Sequence, residues 1–388
     1  MSETIPWWLA EASPEPLPRR PIDRAPDVEV IGGGVTGCAC ALALAEGGLR
    51  VRLHEARSIA GGASGRNGGF ALGGGAMRYD VARETFGRDA ARAYWRLTEA
   101  YLDRLELLAG DALTRPGSLR LAADEEELEQ LRLEHAALRE DGFAAEWRDP
   151  EALAPGLRRA FLGGIFHPHD GSLQPARFVL DLATRAVEAG VEVREQTRVE
   201  SLDDLEAERV VIATDGSGRA LLPELDEVIW PARGQVVATE PLPQRLFSYP
   251  HYARNGFDYW QQVPDRRVLL GGFRDFSILS ELTDVEETTP VIQEALDAFL
   301  VELLGDMPAV EYRWAGIFGL TQDMLPLVGR IPGRDGTWVA AGYSGHGNVL
   351  GLMCGELVAG AILGRPDPIL ELFDPARLIG ATPAASRA

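Results

Sequence analysis

The chain has 388 residues, with 38 basic against 59 acidic side chains and a formal net charge of −21. Every basic residue is an arginine, which excludes a Schiff-base lysine, a lysine nucleophile and a Walker-type phosphate lysine. The acidity argues against a nucleic-acid surface or an anionic membrane, while 46% hydrophobic residues support a large packed core in what the length suggests are two domains.

Residues 1–26 are proline-rich and read as an N-terminal arm, with Trp7 and Trp8 placed to dock part of it on the body. The start of the chain lacks a basic region followed by an apolar stretch, and no uncharged apolar run is long enough to cross a membrane. A soluble cytoplasmic protein is therefore expected. Val28 to Ile31 reads as a buried strand, Gly32 to Gly37 as a turn, Cys38 to Glu46 as a helix, and Leu49 to His54 as a second strand ending at Glu55. This strand–turn–helix–strand run has the length of half a Rossmann fold.

A glycine-rich loop follows over 57–75. Residues 80–109 and 124–141 have helical periodicity, and the acidic run Asp124 to Glu129 reads as a solvated helix face. Pro175 to Gly190 is an amphipathic helix opened by proline, and it leads to a strand from Val191 to Arg194. Val210 to Thr214 is a continuous apolar strand of the kind buried in a parallel sheet. Residues 228–275 alternate like an antiparallel sheet, residues 290–304 form a helix, and a last strand, Trp338 to Gly342, is followed by a helix from about Asn348 to Leu363.

Cys38, Cys40 and Cys354 cannot make a disulfide framework and read as small core residues. His167 and His169 are the one close histidine pair, without a nearby carboxylate cluster, so no metal site is expected. Gly32-x-Gly34-x-x-Gly37 follows a strand and opens a helix, and Glu55 lies 21 residues beyond Gly34. The glycines let a backbone approach a pyrophosphate, the helix N-terminus faces the phosphates, and the acid accepts hydrogen bonds from a ribose. A dinucleotide is the reading this spacing supports.

The run Val30 to Gly37, Glu55 and Gly62-Ala63-Ser64-Gly65-Arg66-Asn67-Gly68-Gly69 resembles the FAD-dependent D-amino acid oxidase/glycine oxidase superfamily. Val211 to Thr214, Trp314-Ala315-Gly316, Pro326 to Arg330 and Gly342-Tyr343-Ser344-Gly345-His346-Gly347 match in order, so the resemblance covers about 27–365. Within the superfamily the chain looks most like the γ-glutamylputrescine oxidase branch.

The resemblance implies an α/β fold. A Rossmann-like, glutathione-reductase-like FAD-binding domain would be built from 27–80, 145–225 and 320–375. An α+β substrate domain with an antiparallel sheet would take 81–144 and 226–319, leaving a tail at 376–388. It implies non-covalent FAD held by Gly32, Gly34, Val35, Thr36, Gly37, Glu55, Ala63, Ser64, Arg66, Asn67, Gly68, Gly69, Ala213, Thr214, Gly345, His346, Gly347 and Asn348.

The implied reaction is oxidation of an amine CH–NH bond by hydride transfer to flavin N5. The resulting imine hydrolyses, and O2 or another acceptor reoxidises the flavin. His346, Tyr343 and Arg66 are the catalytic candidates, and Tyr252, Tyr259, Trp260, Phe318 and Tyr343 the substrate-pocket candidates. Glycine and D-amino acid oxidases resembling this chain carry a carboxylate-clamping arginine shortly after Trp-Ala-Gly. Here that position holds Phe318, which disfavours simple α-amino acids and leaves Arg274 or Arg330 to meet a carboxylate. The alternatives are a glycine, sarcosine or D-amino acid oxidase or dehydrogenase, and a flavin-binding electron-transfer or structural subunit. A nicotinamide dehydrogenase ranks behind these.

Overall fold

The computed structural model describes residues 5–18 and 20–380. Residues 1–4 and 19 of the expected arm, and 381–388 of the expected tail, lie outside the described residues. The chain divides into two compact units. The described residues of the first fall within Met1–Glu15, Ala60–Leu180 and Ala232–Ile317, and those of the second within Pro16–Ile59, Asp181–Pro231 and Phe318–Ala388. Residues 60–80 and 145–180, which the sequence reading assigned to the cofactor domain, group with the first unit.

The second unit is built on a six-stranded sheet. Its order, edge to edge, is Leu327–Arg330, Thr337–Ala341, Val210–Ile212, Val28–Ile31, Val51–His54 and Glu192–Arg194. All pairings are parallel except the edge pair 327–330 with 337–341. Val28–Ile31, Val210–Ile212 and Thr337–Ala341 are buried at every position, as strands covered on both faces must be.

Helix Val35–Glu46 packs against helix Gly347–Ile362. Glycine inside a helix costs about 1 kcal/mol against alanine, and its use here is close approach. A Cβ at Gly351 would lie 2.5 Å from Val35 Cγ1, and one at Gly355 would lie 2.4 Å from the Thr36 carbonyl oxygen. Cys38, Cys40 and Cys354 are buried in these helices, and burial pushes all three thiols up.

One face of this sheet carries charge. Glu29, Arg52 and Glu192 lie in register across three strands, with His54 one step along. Arg52 donates to Glu29 at 3.1 Å, to Glu192 at 2.9 Å and to Glu206 at 2.9 Å, and His54 Nε2 lies 3.1 Å from Glu29. Glu29 also accepts the backbone amides of Glu206 and Ala207. The guanidinium therefore joins three strands and the 195–208 connection, a junction that apolar pairs would leave without register.

The first unit centres on an eight-stranded sheet. Its order is Val310–Leu320, Trp230–Thr239, Val268–Gly272, Asp258–Gln262, His251–Ala253, Ser118–Leu121, Gly164–His167 and Glu146–Arg148. The strands between 228 and 275 were expected; strands 118–121, 146–148 and 164–167 extend the same sheet. Strand 118–121 runs parallel to 251–253, while 251–253, 258–262 and 268–272 form an antiparallel meander.

Period-two alternation gives this sheet two different faces. Leu119, Leu121, Trp260, Leu270 and Val237 form a core with Ile292, Leu296 and Phe299 of helix Pro290–Leu304. Ser118, Arg120, Tyr252, Tyr259 and Gln261 point to the other face.

Trp7–Ala12 is a short helix with both tryptophans buried, and Trp8 donates its indole N–H to the Asn67 carbonyl at 2.7 Å. The expected helix over 80–109 is two, Tyr79–Phe86 and Arg88–Ala109, parted at Gly87, whose φ of 88° belongs to glycine. The acidic run is only partly a solvated face. Asp124 caps helix Glu125–Glu140 by accepting the Glu127 amide, and Glu127, 4% exposed, turns inward to accept the amides of Ala123, Arg254 and Asn255.

Burial, opposed by its bond to Glu29, holds the His54 imidazole below its ordinary value. The Glu29 carboxyl also sits below its ordinary value: backbone amides, His54 and Arg52 outweigh its burial. The unfolded chain therefore binds more protons at both residues, so stability rises with pH. The melting temperature should be flat near neutrality, fall as pH drops below about 6.5 and fall further through about 4. Glu29→Gln should cost about 2 kcal/mol at pH 7 and flatten the lower part of that profile. Thermal unfolding at a series of pH values reads both.

Candidate cofactor and substrate residues

In the second unit, the turn after strand 28–31 is shaped by what its glycines lack. Gly32 has φ +115°, and a Cβ there would meet the Ala213 carbonyl oxygen at 2.4 Å. A Cβ at Gly37 would lie 1.8 Å from the Gly32 carbonyl oxygen. Helix 35–46 can fold back over the turn only because both are absent. Gly34 is the helix N-cap and has no side chain to cap with, and the first turn carries no acid. The helix start therefore carries neither a side-chain cap nor an acid against the dipole, which favours negative charge there.

Glu55, next after strand 51–54, accepts the Gly33 amide at 2.6 Å and the Arg57 amide at 2.7 Å, one on each carboxylate oxygen. These bonds aim a half-buried carboxylate at the turn and leave each oxygen lone-pair capacity for a ribose diol. Thr214, after strand 210–212, buries its hydroxyl oxygen with no partner. Turn, helix start, acid and orphan hydroxyl fit the adenosine diphosphate half of a dinucleotide.

The second strand–turn–helix of this unit runs from Thr337–Ala341 through 342–346 into helix 347–362. Gly342, Ser344 and Gly345 have φ of 81°, 50° and 95°, and a Cβ on Gly345 would meet nothing within 4 Å. His346 is the helix N-cap, half-buried. Tyr343 is 5% exposed and its hydroxyl is committed twice, to Thr36 Oγ1 at 2.8 Å and to the Ala340 carbonyl at 2.9 Å. Burial pushes its phenol well above the ordinary value. Tyr343 therefore braces the start of helix 35–46 against the turn before helix 347–362.

Asp215 was not foreseen. It accepts the Gly319 amide at 2.8 Å and the Gly342 amide at 2.8 Å. Phe318 is half-buried in strand 310–320, with Gly216 close against its backbone.

In the first unit, the loop around Ala63–Gly65 braces itself. Asn67 donates to the carbonyls of Ala63 and Ser64 and accepts the Gly69 amide. Arg66 is 7% exposed. It donates to the carbonyls of Gly61 at 2.9 Å and Ala315 at 3.2 Å and pairs with Glu286 at 3.2 Å. The indole of Trp314 donates to the Arg66 carbonyl at 2.8 Å, and a Cβ on Gly316 would lie 2.8 Å from Arg66 Cβ. Trp314-Ala315-Gly316 is thus the seat of Arg66. With Glu286 as its counter-ion and two carbonyls as acceptors, the guanidinium braces this loop.

The polar face of the sheet gathers Tyr252 and Tyr259, directly paired, with Arg120 beside Tyr252. Arg120 pairs with Glu134 at 2.8 Å, and its guanidinium lies 5.7 Å from the Tyr252 ring centre. The Tyr259 ring lies over Gly271 and beside Gly68, where Cβ atoms would come within 2.5 and 2.8 Å of it. Gln261, also unforeseen, donates to the carbonyls of Gly68 and Gly69 and so ties the loop to this face.

Trp260 is a correction. As the neighbour of Tyr259 in a strand it points the opposite way, stacks on His251 and Phe161, and belongs to the core. Burial pushes the Tyr259 phenol up to about 12. Arg274, just past strand 268–272, stacks on Phe257 at 4.6 Å. Burial holds its guanidinium below the usual arginine value, with Tyr259 and Asp275 acting the other way. Arg330 stacks on Trp338 at the edge of the six-stranded sheet.

The family model described as FAD dependent oxidoreductase matches residues 27–361. Gamma-glutamylputrescine oxidoreductase of Escherichia coli (strain K12) is 28% identical over 364 residues, covering 87% of this chain and 84% of that protein. Glycine oxidase of Geobacillus kaustophilus (strain HTA426) is 27% identical over 356 residues, covering 86% and 92%. The crystal structure of glycine oxidase from Geobacillus kaustophilus superposes with a TM-score of 0.76 at 25% identity, covering 92% of this chain and 99% of that one.

Tyr343→Phe should separate a brace from an acid or base. Loss of one buried hydroxyl pair is expected to cost about 1 kcal/mol, read as a shift in the denaturation midpoint. The pH profile of turnover should keep its shape.

Proposed function

The chain belongs to the FAD-dependent oxidoreductase family and binds FAD, and within that family we propose that it oxidises a CH–NH bond of an amine carrying its anionic group away from the oxidised carbon. γ-Glutamylputrescine is the model for such a substrate. The observation that carries this reading is Arg274 in the first unit, a largely desolvated guanidinium stacked on Phe257 and within electrostatic reach of Tyr259. By the resemblance given above, position 318 corresponds to the carboxylate-clamping arginine of the amino-acid oxidases, and here it holds a phenylalanine. A carboxylate held by Arg274 would take part in charge-assisted bonds in a desolvated setting, where they are strongest.

FAD supplies the two-electron acceptor. In this reading Gly32, Gly34, Gly37 and the start of helix 35–46 hold its pyrophosphate, and Glu55 the ribose. Thr214 and the turn 345–348 of the same unit add to its seat. Tyr252 and Tyr259 line the substrate face. Tyr259, with its phenol near 12, stays protonated through neutral pH; it donates a hydrogen bond and takes no proton. In this reading the amine reacts in its neutral form, which gives up hydride without a side-chain base. Turnover per substrate concentration should therefore climb with pH toward the ionisation of the amine itself, about 10 for an alkylamine.

Arg274→Met tests the substrate class. KM for an amine with a distal carboxylate should rise ~10- to 100-fold, the loss of a hydrogen-bonded charge pair. KM for a plain alkyl amine should stay within about twofold. An equal rise for both would remove Arg274 from recognition. A preference for glycine or sarcosine in the native protein would favour the amino-acid oxidase reading.

A further inference from the structure

We infer that Asp215 is the positioning residue for the second strand–turn–helix, holding the turn 342–346 so that helix 347–362 begins with its N-terminus aimed at the bound flavin. The inference rests on FAD binding, not on which amine is oxidised.

The carboxylate stands where three segments of the second unit meet. Oδ2 accepts from Gly319 in strand 310–320, and Oδ1 accepts from Gly342 at the head of the turn. The amides of Tyr343 and of neighbouring Gly216 also bond to it. Ser344 in turn donates its amide to the Gly319 carbonyl at 2.9 Å, so the residue that Asp215 anchors anchors the turn a second time.

The arrangement is costly in isolation. Asp215 itself holds φ +47°, a left-handed conformation that a side chain resists. Burial pushes its carboxyl up, and the four amides act against that. Strain and desolvation at one residue are accepted where geometry must be fixed. The geometry fixed here is a turn with three left-handed residues, Gly342, Ser344 and Gly345. A helix N-terminus stabilises negative charge only close to its first turn. A carboxylate that sets where the helix starts therefore sets how strongly the reduced, anionic flavin is stabilised.

The test uses Asp215→Asn and Asp215→Ala, each prepared as holoprotein and as apoprotein. Asn keeps the shape but turns an N–H toward an N–H, so it rescues only in part. The dissociation constant for FAD should rise ~10-fold or more in Ala and less in Asn. The midpoint potential of the bound flavin should fall in both. Glu29→Gln, on the charged face of the sheet, serves as a variant with a comparable loss of stability, and its FAD affinity and potential should match the parent. A rise in potential in Asp215→Asn would make Asp215 a charge and not a positioner. An unchanged affinity and potential, with only a lower melting temperature, would reduce it to a structural residue. If Asp215→Ala does not fold, faster hydrogen exchange over 340–348 in the Asn apoprotein carries the test, and unchanged exchange there overturns the inference.

Discussion

The second unit depends on the contact between residue 37 and the carbonyl of residue 32. With hydrogen alone at Gly37, helix 35–46 folds back over the turn; a Cβ would lie 1.8 Å from that oxygen. Other placements follow from this one. Gly33 comes within reach of Glu55, Thr36 within reach of Tyr343, and Gly351 and Gly355 accept the helix against helix 347–362. The same backbone contact that sets the packing also sets where the helix starts, the end we propose holds the pyrophosphate. A substitution at this point would remove both.

The parts of this design that were legible in the sequence are those written within a few residues. Strand, glycine turn, helix, strand and acid are contiguous, and their spacing is a local property of backbone geometry. The roles of single side chains were not local. Arg66 lies in a loop that reads as cofactor-facing, but Glu286 and the carbonyl of Ala315, over 200 residues away, decide that it braces. Tyr343 was placed beside the right turn, yet Thr36 decides what its hydroxyl does. Tyr259 and Trp260 are adjacent and similar in type. Only the register of the sheet shows that one faces the polar side and the other the core. Asp215 carried no signal beyond its place at a strand end, since its four amide partners come from three segments.

A chain with no lysine does its cationic work with arginine, and the structure divides that work. Arg52 joins three strands and a connection, and Arg66 seats a loop; both are surrounded by carboxylates or carbonyls. Arg120 is paired with Glu134. Arg274 differs in being held below its ordinary value by burial, beside an aromatic and near a tyrosine that stays protonated. Planar guanidinium suits the bidentate capture of a carboxylate, and a desolvated one gains most from it.

The most direct measurement is the visible spectrum of the purified FAD-loaded protein, held without oxygen, as single amines are added. The account predicts that the flavin band bleaches with γ-glutamylputrescine and persists with glycine, sarcosine and D-alanine. Bleaching by the small amino acids but not by the long amine would contradict the assigned substrate class. A flavin band that no amine bleaches would contradict the amine oxidation itself.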